Sequence, residues 1–212
     1  MTLSISFHYD REVGFKSDSA EMETVYLRDP IINNPKIYSP TETMLFAMSG
    51  CSSYDGFRVI AYEIYEQIEH MPDNILIPFS TGTLYLGIFE GFSHLLQNGL
   101  IESIPTLWAI QPEKASGMYN RLNNIDREPE PSIADALTGV LPLRYSLLSS
   151  IIKTYGRCEV ISENEIIDAK QYLLNLGIDC EYSSAITYAA LKKFNLGKSS
   201  LLILTGHGIK NL

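Results

Sequence analysis

The sequence predicts an α/β domain built on a largely parallel sheet, and three observations carry that prediction. Three short apolar runs, NILIPF (74–79), TLWAIQ (106–111) and LLILT (201–205), have the unbroken hydrophobicity of strands buried on both faces. They alternate with longer stretches of helical periodicity, the pattern of strand–helix–strand units. The 212 residues, 45% hydrophobic and 19% charged, suffice for one large domain or two small ones with a real core.

The elements follow in order. TLSISFHY (2–9) alternates, with Leu3, Ile5, Phe7 and Tyr9 on one side, and reads as a half-buried strand. METVYL (22–27) reads as a second strand and DPIINNPKIYSP (29–40) as a loop. FRVIAYEIYEQIEHM (57–71) sets Val59, Ile60, Ile64, Ile68 and Met71 on one helical face, started by Asp55-Gly56 and ended by Pro72-Asp73. Glu63, Glu66 and Glu69 read as its wet side. After the strand 74–79 comes the helix LYLGIFEGFSHLLQNGL, with Gly99 at its C-terminal cap. After the strand 106–111, EKASGMYNRL reads as a helix and REPEP (127–131) as a solvated acidic turn. PLRYSLLSSIIKTY reads as a helix and RCEVI (157–161) as a strand. Ser162 and Glu165 have the spacing of a capping box, ahead of the helix IIDAKQYLLNLG ending at Gly177. SSAITYAALKKF is a further helix, opened by Ser183 or Ser184, before the last strand.

Charge and composition exclude several functions. The net charge is −9 and the pI about 4.9, and Lys192-Lys193 is the only adjacent pair among 16 Lys and Arg. Phosphate backbones need clustered basic residues, so no nucleic-acid partner is expected. The cysteines, Cys51, Cys158 and Cys180, are odd in number and lack CxxC spacing, which points away from zinc and disulfides and toward a reducing cytoplasm. His8, His70, His94 and His207 have no partner at metal-ligand spacing, so no metal is expected. MTLSISFHYDR does not have the form of a signal peptide. No uncharged apolar run approaches the ~18 residues of a membrane span.

Ligands of open parallel sheets bind beyond the carboxyl ends of the strands. Two stretches stand there. Ser80-Thr81-Gly82-Thr83 follows the strand 74–79 and opens a helix. Helix N-termini attract anions, glycine lets a backbone come close, and hydroxyls donate without bulk, so this corner reads as a phosphate cradle. The competing reading is plain capping, since Ser and Thr also favour N-caps. Thr205-Gly-His-Gly follows the strand 201–205, too near the end of the chain for a dinucleotide-binding helix.

Taken together and in order, these pieces resemble the threonine synthases and their tryptophan-synthase-β-like relatives, fold type II enzymes that use pyridoxal phosphate (PLP). The stretch from Gly56 to Glu113 is similar to the family's helix, its "vPvGnGt.l.G" strand–loop–helix and its "iP.i.avQ" strand. VISENEIIDAKQYLLNLGIDCEYSSAITYAALKKF and LLILTGHGIKN resemble the family's closing segments. The resemblance implies a three-layer α/β fold like the family's large domain over 55–212, with 1–54 a separate hairpin-and-loop segment and the small domain missing. It implies PLP as cofactor, with its phosphate held by Ser80, Thr81, Gly82 and Thr83 and its ring nitrogen by Thr205. Ser80 and Thr81 stand where the family has Gly and Asn.

The family's cofactor-bearing lysine has no clear counterpart. Lys16, in GFKSDS, is the one candidate, and MSGCSS around Ser49-Gly50 is a faint match to the substrate-carboxylate loop. The resemblance implies elimination or replacement chemistry on a small amino acid or O-phosphohomoserine, with the lysine supplied by Lys16 or by a second chain. A homodimer or hetero-complex that completes the sheet is expected. The alternative is a non-catalytic binding or regulatory subunit that kept the phosphate loop.

Overall fold

The structure, a computed structural model, describes residues 2–6, 53–139, 141–196 and 199–211. The expected strand 22–27, the loop 29–40, Lys16 and MSGCSS lie outside the described residues.

Five strands form one sheet: β1 (Thr2–Ser6), β2 (Asn74–Pro78), β3 (Thr106–Pro112), β4 (Gly156–Ile161) and β5 (Ser200–Leu204). The order is β1-β5-β2-β3-β4, and every pairing is parallel. Among the described residues the helices are α1 (Ser53–Gln67), α2 (Thr83–Gln97), α3 (Gly117–Leu122), α4 (Tyr145–Tyr155), α5 (Glu163–Asn175) and α6 (Tyr182–Phe194). Successive strand residues point to opposite faces. Ile75, Ile77, Leu107, Ala109, Leu201 and Ile203 enter one core with α1, α2 and α4. Leu76, Trp108, Ile110 and Leu202 enter the other with α5 and α6. This three-layer arrangement is why β2, β3 and β5 read as unbroken apolar runs. Beneath them, buried Asn74 accepts from Trp108 Nε1 (3.0 Å) and reaches Ser200 Oγ (3.5 Å), tying the starts of three adjacent strands together.

Helices α1 and α2 lie unusually close. A Cβ on Gly91 would come within 2.6 Å of Ala61 Cβ and 2.7 Å of the Arg58 carbonyl, and one on Gly87 would meet Phe57. Two glycines one turn apart on α2 therefore form the seat for α1.

Several boundaries differ from expectation. Helix α1 starts at Ser53, so Asp55 lies in its first turn, where its carboxylate pairs with Arg58 at 3.1 Å and complements the helix dipole. The stretch 113–122 is not one helix. The Ser116 hydroxyl donates to the Glu113 carbonyl (2.9 Å), splitting a 3₁₀ turn, Glu113–Ala115, from α3. Neither Ser183 nor Ser184 opens α6. Glu181 is its N-cap, and both serines are buried within the first turn. The capping box at Ser162 and Glu165 is present in full, and Gly99 and Gly177 adopt positive φ after α2 and α5. No helix among the described residues is long and apolar enough to cross a membrane.

Candidate functional site

Beyond Pro78 the ladder continues for one residue, the Phe79 amide donating to the Ile110 carbonyl at 2.8 Å. The chain then turns sharply into α2. Gly82 is the N-cap, with φ 83° and ψ 3°, and its carbonyl accepts the first helical bond from the Leu86 amide at 2.9 Å. A side chain rarely adopts that φ, and an added Cβ would also run into Leu148 and Phe79. The hydroxyls of Thr81 and Thr83 face each other at 3.2 Å, and Ser80 Oγ accepts the Gly139 amide at 3.2 Å. The N-cap position itself, Gly82, has no side chain to cap the helix.

The second stretch is on the neighbouring strand, since β2 and β5 are paired. Thr205 leaves β5 and is held from below by Ser184, which is fully buried. Ser184 Oγ accepts the amides of Thr205 (3.0 Å) and Gly206 (2.9 Å) and lies 3.3 Å from Thr205 Oγ1. The Glu181 amide donates to the Gly206 carbonyl at 3.0 Å, and the Gly208 amide to the Asp179 carbonyl at 3.2 Å. A side chain at Gly206 would collide with Glu181. His207 pairs with Cys180 in an isolated antiparallel bridge and sits 3.9 Å from Asp179. It does not line the cleft described next.

Ser80, Thr81, Gly82, Thr83 and Thr205, separated by more than 120 positions in the chain, line a single open cleft of about 650 Å³. Helix α1 supplies one wall through Phe57, Val59, Ile60 and Glu63, and Ala136, Leu137 and Ser183 supply another. Glu63, expected on the wet side of α1, is the only charged side chain lining the cleft among the described residues. No lysine lines it among those residues. Tyr85 lies at the base. Burial, with a smaller contribution from Cys158, pushes its phenol well above the usual range. It therefore stays protonated and donates to the Leu107 carbonyl at 3.2 Å. A smaller cavity of about 230 Å³ is also lined by Thr81, Gly82 and Thr83, together with Arg144. The Arg144 guanidinium stacks over Tyr54, 4.7 Å from the ring centroid.

Sequence reasoning missed Glu63, Arg144, Ser184 and the segment 133–139. For Ser184 a signal existed, two serines ahead of an apolar helix, but buried serines and N-cap serines look alike in a sequence. Arg144 falls within the stretch read as a helix from Pro142, but the helix starts at Tyr145 and Arg144 is its N-cap; the segment 133–139, with a 3₁₀ turn at Asp135–Leu137, carries no pattern.

A family model for pyridoxal-phosphate dependent enzymes matches residues 38–206. The chain belongs to this family. Threonine synthase of Methanocaldococcus jannaschii is 25% identical over 186 residues, which is 80% of this chain and 46% of that protein. Threonine synthase of Methanosarcina acetivorans is 26% identical over 187 residues, 81% of this chain and 46% of that protein. Serine racemase from Dictyostelium discoideum superposes with a TM-score of 0.59 at 26% identity, covering 76% of this chain and 51% of that one. This PLP-family chain therefore spans about half the length of the curated relatives it matches, and its fold is that of fold type II members.

Proposed function

We propose that this chain holds the cofactor in a PLP-dependent enzyme that carries out elimination or replacement on a small amino acid, with O-phosphohomoserine the first candidate substrate. One observation carries the reading: the five residues Ser80 to Thr83 and Thr205 converge on one cleft at the carboxyl ends of two adjacent strands.

The residues present fit the cofactor. The left-handed Gly82 turn places a helix N-terminus at the cleft, where its amides and dipole favour a phosphate. Ser80, Thr81 and Thr83 add hydroxyl donors beside it. Arg144, which shares the smaller cavity with the loop, adds positive charge. Thr205 faces the cleft from β5, opposite the loop, and its neutral hydroxyl suits a ring nitrogen. When bound, PLP stabilises negative charge at the α-carbon of an amino-acid substrate. Phe57, Val59, Ile60, Leu84 and Leu137 make much of the remaining wall apolar and keep water from part of the site.

We assign the cofactor-bearing lysine to Lys16 or to a second chain, and the assembly to a homodimer or a complex that completes the site. We place the enzyme in the reducing cytoplasm, which suits the free thiols of Cys158 and Cys180. The test is addition of PLP to the purified chain, followed by borohydride reduction and peptide mass spectrometry, alone and with candidate partner chains. The expected result is raised thermal stability and a PLP adduct on one lysine, Lys16 or a partner's. Absence of both under every condition would overturn the proposal.

A further inference from the structure

We propose that Ser184 is a positioning residue whose hydrogen-bonding state forces the Thr205 hydroxyl to act as a donor into the cleft. This rests on the reading of the cleft as a PLP site. A serine hydroxyl has one proton and two acceptor lone pairs. Both lone pairs of Ser184 Oγ are occupied, one by the Thr205 amide at 3.0 Å and one by the Gly206 amide at 2.9 Å. Thr205 Oγ1, at 3.3 Å, therefore has no acceptor left on Ser184 to donate to.

The proton of Ser184 has two destinations within reach: Thr205 Oγ1 at 3.3 Å and the Gly206 carbonyl at 3.5 Å. The carbonyl is the more distant, though its second lone pair is open, and on either course Ser184 keeps no acceptor for Thr205. The proton goes to Thr205, which takes up a lone pair there as well. Ser184 is the sole hydrogen-bond partner of the Thr205 hydroxyl among the described residues. Its own proton is left for the cleft that Thr205 lines. The atom it meets has to be an acceptor, such as an aromatic nitrogen without a proton. Ser184 thus selects the protonation state of the ring it never touches. Two consecutive amides pin the oxygen, and Ser184 itself is fully buried, so the selection is built in before a ligand arrives.

The test compares two ligands, PLP and its analogue with the ring nitrogen replaced by C–H, by equilibrium binding to the full chain. The wild type is expected to prefer PLP by about tenfold, the scale of one neutral hydrogen bond. Thr205→Val should bring the ratio to near one. Ser184→Ala removes the one described bond that fixes the Thr205 hydroxyl and leaves it free to turn away from the ring nitrogen, so the ratio should also collapse, with little further change in the double variant. If Ser184→Ala does not fold, Ser184→Cys keeps similar volume and gives up most of the accepting strength, and the ratio is read on it. A Ser184 variant that weakens both ligands equally and leaves the ratio intact would show a merely structural serine and overturn the inference, with the PLP reading untouched. If the wild type binds neither ligand, the PLP reading fails and this inference with it.

Discussion

Gly82 has two independent reasons to be glycine, a φ of 83° and the Leu148 side chain where a Cβ would go. Gly82→Ala should cost about 1–2 kcal/mol from the backbone conformation, with crowding on top, measured by chemical denaturation. Stabilisation by phosphate should vanish in the same variant. The charges in the two cavities that the loop lines make opposite forecasts. Glu63→Gln removes a negative charge from the cleft and should tighten inorganic phosphate binding about two- to fivefold, and Arg144→Ala should weaken it by a similar factor. Added salt should shrink both effects. Equal affinities in all three proteins at low salt would place the anion elsewhere.

At the scale of the elements, the capping box that opens α5 makes a pH-dependent forecast. Burial works against the charged form of Glu165, but the Ser162 amide (2.8 Å), the Ser162 hydroxyl (2.7 Å) and Lys193 (3.0 Å) outweigh it and hold the carboxyl below its ordinary range. A depressed carboxyl contributes stability above its unfolded value and loses it as pH falls through the folded one. Ser162→Ala should cost about 1 kcal/mol at pH 7, and the loss of stability on acidification below pH 4.5 should be shallower than in the wild type. This element was legible in the sequence because its signal is local, four residues with fixed spacing. So were β2, β3 and β5, whose unbroken apolar runs follow from cores on both faces. The break at Ser116 and the start of α6 were not legible. A serine that bonds backward to Glu113 and one that holds a distant strand end are spelled with the same letter as a helix cap. The pairing of Thr205 with the Ser80–Thr83 loop was legible only through the resemblance, because no local pattern says that β5 inserts beside β2.

For the whole molecule, the alkaline limit of stability has a named contributor. Burial is the largest cause pushing the Cys180 thiol up to about 11, with Lys170 opposing and Asp179 and Glu181 adding. A raised thiol contributes stability that is whole below its unfolded value near 9 and is lost as pH rises toward 11. Cys158, raised further by burial, adds to the fall over the same interval, so the share of Cys180, about 2 kcal/mol, is read as the difference in slope between wild type and Cys180→Ala. Assembly is a second forecast at this scale. Leu143 is 90% exposed, and Leu141 and Leu147 lie beside it in the chain or one turn on, also exposed. Light scattering should therefore give a mass above the 23.8 kDa of one chain, and a monomer at all concentrations would refute the proposed assembly. The glycine seat on α2 has a consequence of its own. With α1 resting on α2 at Gly87 and Gly91, the α1 wall of the cleft and the Ser80–Thr83 corner that opens α2 are carried on one packed helix pair. A bulkier residue at either glycine would therefore lever one wall of the cleft away from the other, while the far rim, residues 133–139, is tied separately, to Glu163, to Ser183 and, through Gly139, to Ser80.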